Sequence, residues 1–241
     1  MASTPPVQGT DCVVLVTGGN KGLGKETVRR LVLAGYRVHL AARDAERGRR
    51  AAAETGARPI VLDVTDEASV AAAAEQVRRE SGRLDVLVNN AGAVGDTGTA
   101  TAAVGPDELR AIYDINVFGT VRVTRAFLPL LAAAASPVIV NVSSGMGSLA
   151  WATDPDRIES GWPALAYASS KAAVNMLTVQ YAKALPQIRV HAVDPGLTAT
   201  DGTGGMGKAV EEGVRAIVTA VLDPDAAPSG GFTDADGPVP W

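Results

Sequence analysis

The sequence predicts an α/β fold: one parallel sheet, doubly wound, with helices on both faces. Two observations carry this reading. Short apolar runs alternate with longer stretches whose apolar residues recur at helical spacing. The short runs are also apolar at nearly every position, as strands covered on both faces are. With 241 residues, 46% hydrophobic and 20% charged, the chain can bury a sizeable core.

The elements follow in order. Residues 12–17 read as the first strand, and 23–34 as a helix with Leu23, Thr27 and Leu31 on one row and Val28 and Val32 beside it. Gly35 is placed to end that helix. Residues 37–41 read as the second strand, 44–55 as a helix, and 59–62 as the third strand. Asp66 can cap a helix running to about Glu80. The alternation then repeats: strand 84–88, helix 106–131, strand 137–142, helix 165–185, strand 189–193, helix 208–222 and a last short strand near 231–233. Right-handed crossovers between parallel strands make this a Rossmann-type winding. Ligands of such sheets bind beyond the carboxyl ends of the strands, so residues just after each strand are the ones to read for chemistry. The whole of 1–241 reads as one domain, with residues 1–10 as a flexible tail. No internal repeat or linker is visible.

Composition narrows the partners. The net charge is −4 and no basic stripe stands out, which speaks against nucleic acid. Arg47, Arg49 and Arg50 cluster among alanines and read as a solvated helix face. No apolar run approaches the roughly 20 residues that span a bilayer, and the N-terminus lacks the layout of a signal peptide. Cys12 is alone, so no disulfide forms within the chain. It reads as a small packed side chain. His39 and His191 fall within strand patterns and read as core or sheet-face residues. The expected location is cytoplasmic. No metal site is expected.

After the first strand comes Thr17-Gly18-Gly19-Asn20-Lys21-Gly22-Leu23-Gly24. Glycines let a backbone turn sharply and approach a pyrophosphate, and the helix that follows offers free N–H groups and its positive end. Tyr167 and Lys171 stand four residues apart, on one face of a helix. A phenol ionises near pH ~10, and a neighbouring ammonium favours its charged form, so the pair is expected to make Tyr167 a usable proton donor or acceptor. Ser143 and Ser144 close the fifth strand and put hydroxyls at the same sheet edge. Asn116 lies inside a strongly helical pattern, where asparagine is a poor resident.

The spacing of the glycine loop, the segment Asn89-Asn90-Ala91-Gly92, the pair Ser143-Ser144, the Tyr167/Lys171 pair and Asp194-Pro195-Gly196 follow successive strands in an order that resembles the short-chain dehydrogenase/reductase family. The resemblance covers roughly residues 11 to 241. It implies a nicotinamide coenzyme held by Gly18, Asn20, Lys21, Gly22, Leu23 and Gly24 at the phosphates. Asp63 and Val64 would meet the adenine, Asn90, Ala91 and Gly92 the adenine-ribose side, and Pro195, Gly196 and Thr198 the nicotinamide, with Thr200 reaching the phosphates. It further implies Tyr167 as general acid, Ser144 rather than Ser143 steadying the substrate oxygen, Lys171 binding the nicotinamide ribose and lowering the tyrosine pKa, and Asn116 holding a water in the proton relay.

The second strand ends without a carboxylate. Arg43 stands there, with Asp44 only after it. A guanidinium suits a 2′-phosphate, and Lys21 adds a second positive charge, so NADP(H) is preferred and NAD(H) remains possible. The opposite assignment has Arg43 as a surface residue and Asp44 holding the ribose.

The stretch between Ser144 and Tyr167 is longer than the family's most common spacing. That stretch, the Gly-Asn-Lys-Gly of the loop and the ending 232–241 are similar to the carbonyl reductase branch. The implied activity is NADPH-dependent reduction of a ketone or aldehyde. The pocket walls are expected from Val94, Met146, Trp151, Trp162 and the loop 198–206. Two alternatives stay open: an NAD-linked alcohol dehydrogenase using the same residues, and a non-catalytic coenzyme-binding sensor. A nucleotide-sugar epimerase would need an added substrate domain, for which the chain is too short. Monomer and homo-oligomer are both open, since relatives pair through the helices at 107–131 and 165–185.

Overall fold

The computed structural model describes residues 11–95 and 99–241. The expected tail, residues 1–10, lies outside the described residues. A seven-stranded sheet forms the centre, with strand order β3-β2-β1-β4-β5-β6-β7. The strands are β1 (Val13–Val16), β2 (Arg37–Ala42), β3 (Arg58–Val61), β4 (Val86–Asn89), β5 (Val138–Val142), β6 (Arg189–Val193) and β7 (Phe232–Thr233). All neighbours pair in parallel. The chain moves outward from β1 to β3, then restarts at β4 on the other side of β1. The carboxyl ends of β1 and β4 therefore lie side by side at the switch point.

Helices cover both faces. On one face α1 (Gly22–Leu33), α2 (Ala45–Thr55) and α9 (Arg215–Leu222) bury Val28, Leu31, Ala51, Ala52, Ile217 and Val221 against Val14, Val38, Val86 and Val138. On the other, α3 (Glu67–Ser81), α5 (Gly119–Leu131) and α7 (Leu165–Ala184) meet Leu15, Leu87, Ile139 and Val190 through Val70, Val77, Phe127, Leu131 and Tyr181. Strand residues alternate between the two cores. This is why the inner strands read as almost continuously apolar, while edge strand β3 buries only Ile60.

Local signals set the helix ends. Asp44 accepts hydrogen bonds from the N–H groups of Glu46 and Arg47, and Asp66 from those of Ala68 and Ser69, so each caps its helix. A cap of this kind is worth about 1 kcal/mol. Gly56 and Gly82 end α2 and α3 in the left-handed conformation.

The structure departs from the sequence reading in two helices. The stretch 106–131 is interrupted: α4 (Pro106–Tyr113) passes through one π-helical turn, Asp114–Phe118, before α5 begins. The apolar spacing runs on through this turn, so it left no mark in the pattern. Residues 208–222 form a short α8 (Val210–Gly213) and then α9. The extra stretch before Tyr167 holds a four-residue helix, α6 (Leu149–Ala152), and a 3₁₀ turn, Ile158–Gly161.

Both sheet borders are short. β3 carries Pro59 opposite Leu40, and two-residue β7 is followed by a return of the chain that bridges Thr233 to Pro238.

Candidate active site

The site lies beyond the carboxyl ends of β4, β5 and β6. Ser143 and Ser144 leave β5 in opposite directions. The Ser143 hydroxyl is buried and donates to Asn175 Oδ1 at 2.5 Å. Ser144 instead lines a cavity of about 430 Å³ together with Tyr167 and Asp194. Its hydroxyl accepts from the Met146 N–H at 3.2 Å and faces the Tyr167 phenol, whose charged form it favours. α7 carries Tyr167 and Lys171 on one face, and the Lys171 Nζ lies 5.6 Å from the centre of the Tyr167 ring. That ammonium is buried and donates to the Val142 carbonyl at 2.8 Å.

Asn116 occupies the middle of the π-helical turn and is buried. Its Oδ1 accepts from the Ala93 N–H at 2.8 Å, and its Nδ2 donates to the Ala93 carbonyl and to Ser170 Oγ, each at 2.9 Å. A π-turn inside a helix frequently marks a functional position. Here it delivers an amide that ties the loop after β4 to the start of α7. Gly92 sits where the two meet: a Cβ there would lie 3.4 Å from Asn116 Oδ1 and 3.6 Å from Lys171 Nζ.

Burial dominates the ionisation of the pair. It pushes the Tyr167 phenol up to about 12, against a lowering by the Ser144 hydroxyl and with a further rise from Asp194. It pushes the Lys171 ammonium down to about 8, partly offset by Asp194. The sequence expectation that Lys171 makes the phenol more acidic is therefore corrected for the protein alone. Desolvation disfavours the phenolate more than its polar neighbours favour it.

The glycine loop is shaped for an anion. Gly18 and Gly22 have φ of 64° and 51°, in the left-handed region. A Cβ on Gly24 would stand 2.3 Å from the Gly18 carbonyl oxygen. α1 starts at Gly22 with no side-chain cap and no acidic residue in its first turn, which leaves its positive end open to a phosphate. Asn90 holds the loop from β4: its Nδ2 donates to the Thr17 carbonyl at 2.7 Å. Thr200 faces the loop across the cleft, its Cγ2 3.4 Å from where a Gly22 Cβ would be.

A sequence model of the short chain dehydrogenase family matches residues 12–211.

The chain belongs to the short-chain dehydrogenase family.

A short-chain dehydrogenase from Penicillium roqueforti, anuI, is 37% identical over 228 residues, covering 89% of this chain and 90% of the relative. Salutaridine reductase from Papaver bracteatum is 33% identical, covering 92% of this chain and 94% of the relative. Among solved structures, an NADPH-bound carbonyl reductase from chicken fatty liver superposes with a TM-score of 0.83 at 29% identity, covering 98% of this chain and 100% of that one. The protein is an oxidoreductase of the kind that acts on alcohol or carbonyl groups.

Several residues singled out in the sequence have partners of their own within the protein. Arg43 is exposed at the end of β2, and among the described residues no carboxylate is within ion-pair distance of it. Asp44 is occupied as the cap of α2, which weakens its claim to a ribose. Lys21 pairs with Asp201 at 2.8 Å across the cleft. Asp63 Oδ1 accepts from the N–H and hydroxyl of Thr65, and these two bonds hold its carboxyl below the usual range. Val64 is buried and packs beside Gly119. Thr198 is buried, its hydroxyl turned to the Gly196 carbonyl at 3.0 Å.

The cavity walls include Val94, Met146, Trp162 and Asp201–Gly204 with Met206, as the sequence suggested. Trp151 is a correction. It turns inward against Phe232 and Val239, under the Arg157 guanidinium at 3.6 Å, because those apolar side chains offer it burial. Asp194, quoted only as part of the segment after the sixth strand, lines the cavity, as do Glu159 and Ile158, which were not singled out. Nor was a buried polar ladder beneath the site: Asn141 Nδ2 donates to Thr178, and Asn89 Nδ2 donates to Asn141 Oδ1 and Thr124. The paired asparagines at the ends of β4 and β5 were its only trace in the sequence. Among the described residues no three His, Cys, Asp or Glu side chains group to hold a metal ion, and no helix is long and apolar enough to cross a membrane.

Proposed function

We propose that this chain is an NADPH-dependent carbonyl reductase acting on a ketone or aldehyde of small to moderate size. The observation that carries the reading is the meeting of the Tyr167 phenol and the Ser144 hydroxyl at one cavity, with buried Lys171 behind them. The coenzyme would be held by the backbone of Gly18–Gly24 and the open end of α1 at its phosphates. Arg43 and Lys21 would take the 2′-phosphate, and Asp63, Val64 and the segment Asn90–Gly92 the adenosine side. Pro195, Gly196, Thr198 and Thr200 would line the nicotinamide side, with Lys171 and Tyr167 at its ribose. When bound, the reduced nicotinamide supplies the hydride for the carbonyl carbon.

The protein's part is to place and protonate the oxygen. Ser144 donates a hydrogen bond to that oxygen as negative charge develops on it. Tyr167 delivers its phenolic proton to the same atom. A phenol held up to about 12 is fully protonated at neutral pH, so the donor form is the resting form. Lys171, at about 8, is largely an ammonium at pH 7 and stabilises the phenolate left behind. Asn116 fixes the backbone through which a water would restore the proton. Apolar walls at Met146, Ile158, Trp162 and Met206 would select an apolar body around the carbonyl.

The test is a panel of ketones and aldehydes followed by coenzyme absorbance with NADPH and with NADH, for the native protein and Tyr167→Phe. NADPH should give the higher kcat/KM. Tyr167→Phe should lose about 100-fold or more in kcat while NADPH binding, read by fluorescence, persists. Preference for NADH with alcohol oxidation would instead support the NAD-linked dehydrogenase. Binding without turnover on any substrate would support the sensor.

A further inference from the structure

We infer that Asp194 is a positioning residue of this site: its carboxylate ties the turn carrying Ser144 to the segment after β6, and places a negative charge against Tyr167 and Lys171. The inference rests on Tyr167 being the proton donor of the proposed reaction.

Asp194 follows β6 directly. It is 5% exposed, and it lines the same cavity as Ser144 and Tyr167. Its Oδ1 accepts from the Gly196 N–H at 2.8 Å, and the Gly145 N–H faces the carboxylate and favours its charged form. Its own N–H donates to the Thr233 carbonyl at 2.8 Å. One residue thus joins the ends of β6 and β7 and meets the turn after β5 at the shared cavity. The Gly145 end has no slack, because a Cβ there would stand 2.7 Å from Glu159 Oε1 and 2.9 Å from Trp151 Cε3. Ser144 sits one residue from this clamp. Its hydroxyl direction depends on the turn being held.

The charges around Asp194 come from every neighbouring segment. Glu159, from the turn before α7, and Asp234, after β7, both oppose its ionisation, as does burial, while the two backbone N–H groups favour it. Arg157 pairs with Glu159 at 3.2 Å, and Lys208 Nζ lies 3.1 Å from where a Gly196 Cβ would be. From α7, Tyr167 and Lys171 face it, and its charge raises the proton affinity of both. A negative group here therefore retains the protons that a reduction consumes.

Asp194→Asn keeps the shape and an acceptor oxygen but removes the charge, whereas Asp194→Ala also removes the clamp. The chain has four tyrosines, so ring-Cζ ¹³C labelling gives few signals, and Tyr167→Phe assigns the one that matters. In Asp194→Asn the Tyr167 signal should begin its ionisation shift at lower pH than in the native protein. The falling alkaline limb of reductive kcat/KM should move to lower pH with it. Asp194→Ala should show the same displacement and lose a further 10-fold or so in kcat, as Ser144 drifts. If the Tyr167 titration and the pH profile of Asp194→Asn superpose on the native curves, the inference is wrong. If the native protein reduces no carbonyl on the panel, the functional reading falls, and the NMR titration still decides the role of Asp194.

Discussion

The two halves of the cleft are built on different principles. On the side proposed for the coenzyme, at the ends of β1, β2 and β4, polar side chains are consumed in bracing backbone. Thr17 Oγ1 accepts from the N–H groups of Asn90 and Ala91, Asn90 holds the Thr17 carbonyl, Asp44 caps α2 and Asp63 closes its own turn. On the reacting side, at the ends of β5 and β6, the groups that matter are titratable and buried: Tyr167, Lys171 and Asp194 all have displaced proton affinities. One half fixes shape; the other fixes charge. Damage to the first should therefore appear as lost affinity and stability, and damage to the second as altered turnover and pH response.

The strongest way to break this contrast is at Gly24. Gly24→Ala puts a methyl group against the Gly18 carbonyl and 2.5 Å from Asn90 Nδ2, so the loop must move. Overpacking of this kind costs about 1–3 kcal/mol, read by denaturant unfolding. Coenzyme affinity should fall by about tenfold or more, read by fluorescence titration, as the loop leaves the geometry a pyrophosphate needs. Arg43→Ala sharpens the contrast next, since among the described residues that exposed side chain makes no ion pair and only adds charge near Asp63. NADPH affinity should fall about 10-fold, the worth of a charge-assisted contact, with NADH affinity and the melting temperature unchanged. Loss of both coenzymes alike would remove Arg43 from the 2′-phosphate.

The smallest expected effect lies away from both halves. His39 is fully buried in β2 with no hydrogen-bond partner on either ring nitrogen among the described residues. Burial pulls its pKa below the ordinary 6.5, and His191 in β6 is pulled down for the same reason. A lowered folded-state value means that the folded protein holds the neutral ring. The associated stability is whole above pH 6.5 and is lost as pH falls below it. Thermal melts should thus decline from pH 7 to pH 5, and His39→Leu should decline less steeply. Parallel melting curves for the two proteins would refute this.

Much of this architecture was legible because local chemistry and global winding agree. Seven strands were found near their true bounds, and Asp66 was readable as a cap. Strand ends and a helical i,i+4 step fix where the Ser143-Ser144 pair, Tyr167 and Lys171 emerge, while the choice of Ser144 over Ser143 came from the family resemblance. What escaped depends on contacts distant in sequence. The last helical stretch breaks after Gly213, which packs so closely on Thr198 that a Cβ there would lie 2.4 Å from Thr198 Oγ1, a contact no local pattern shows. The Asn89–Asn141–Thr178 ladder joins three separate elements. Trp151 faces inward because β7 and the final residues happen to reach it. The direction of the Tyr167 shift was missed for a related reason, since desolvation is a property of the packed whole and not of the Tyr-x-x-x-Lys step.

The sheet's two borders carry a consequence for the protein in concentrated solution. β3 presents Pro59, which has no N–H to offer a neighbour, and β7 is only two residues long before the chain folds back beside it. Unpaired strand edges are the templates on which one copy adds to another and aggregates. With both borders blunted, neither edge offers another copy a long run of open strand among the described residues.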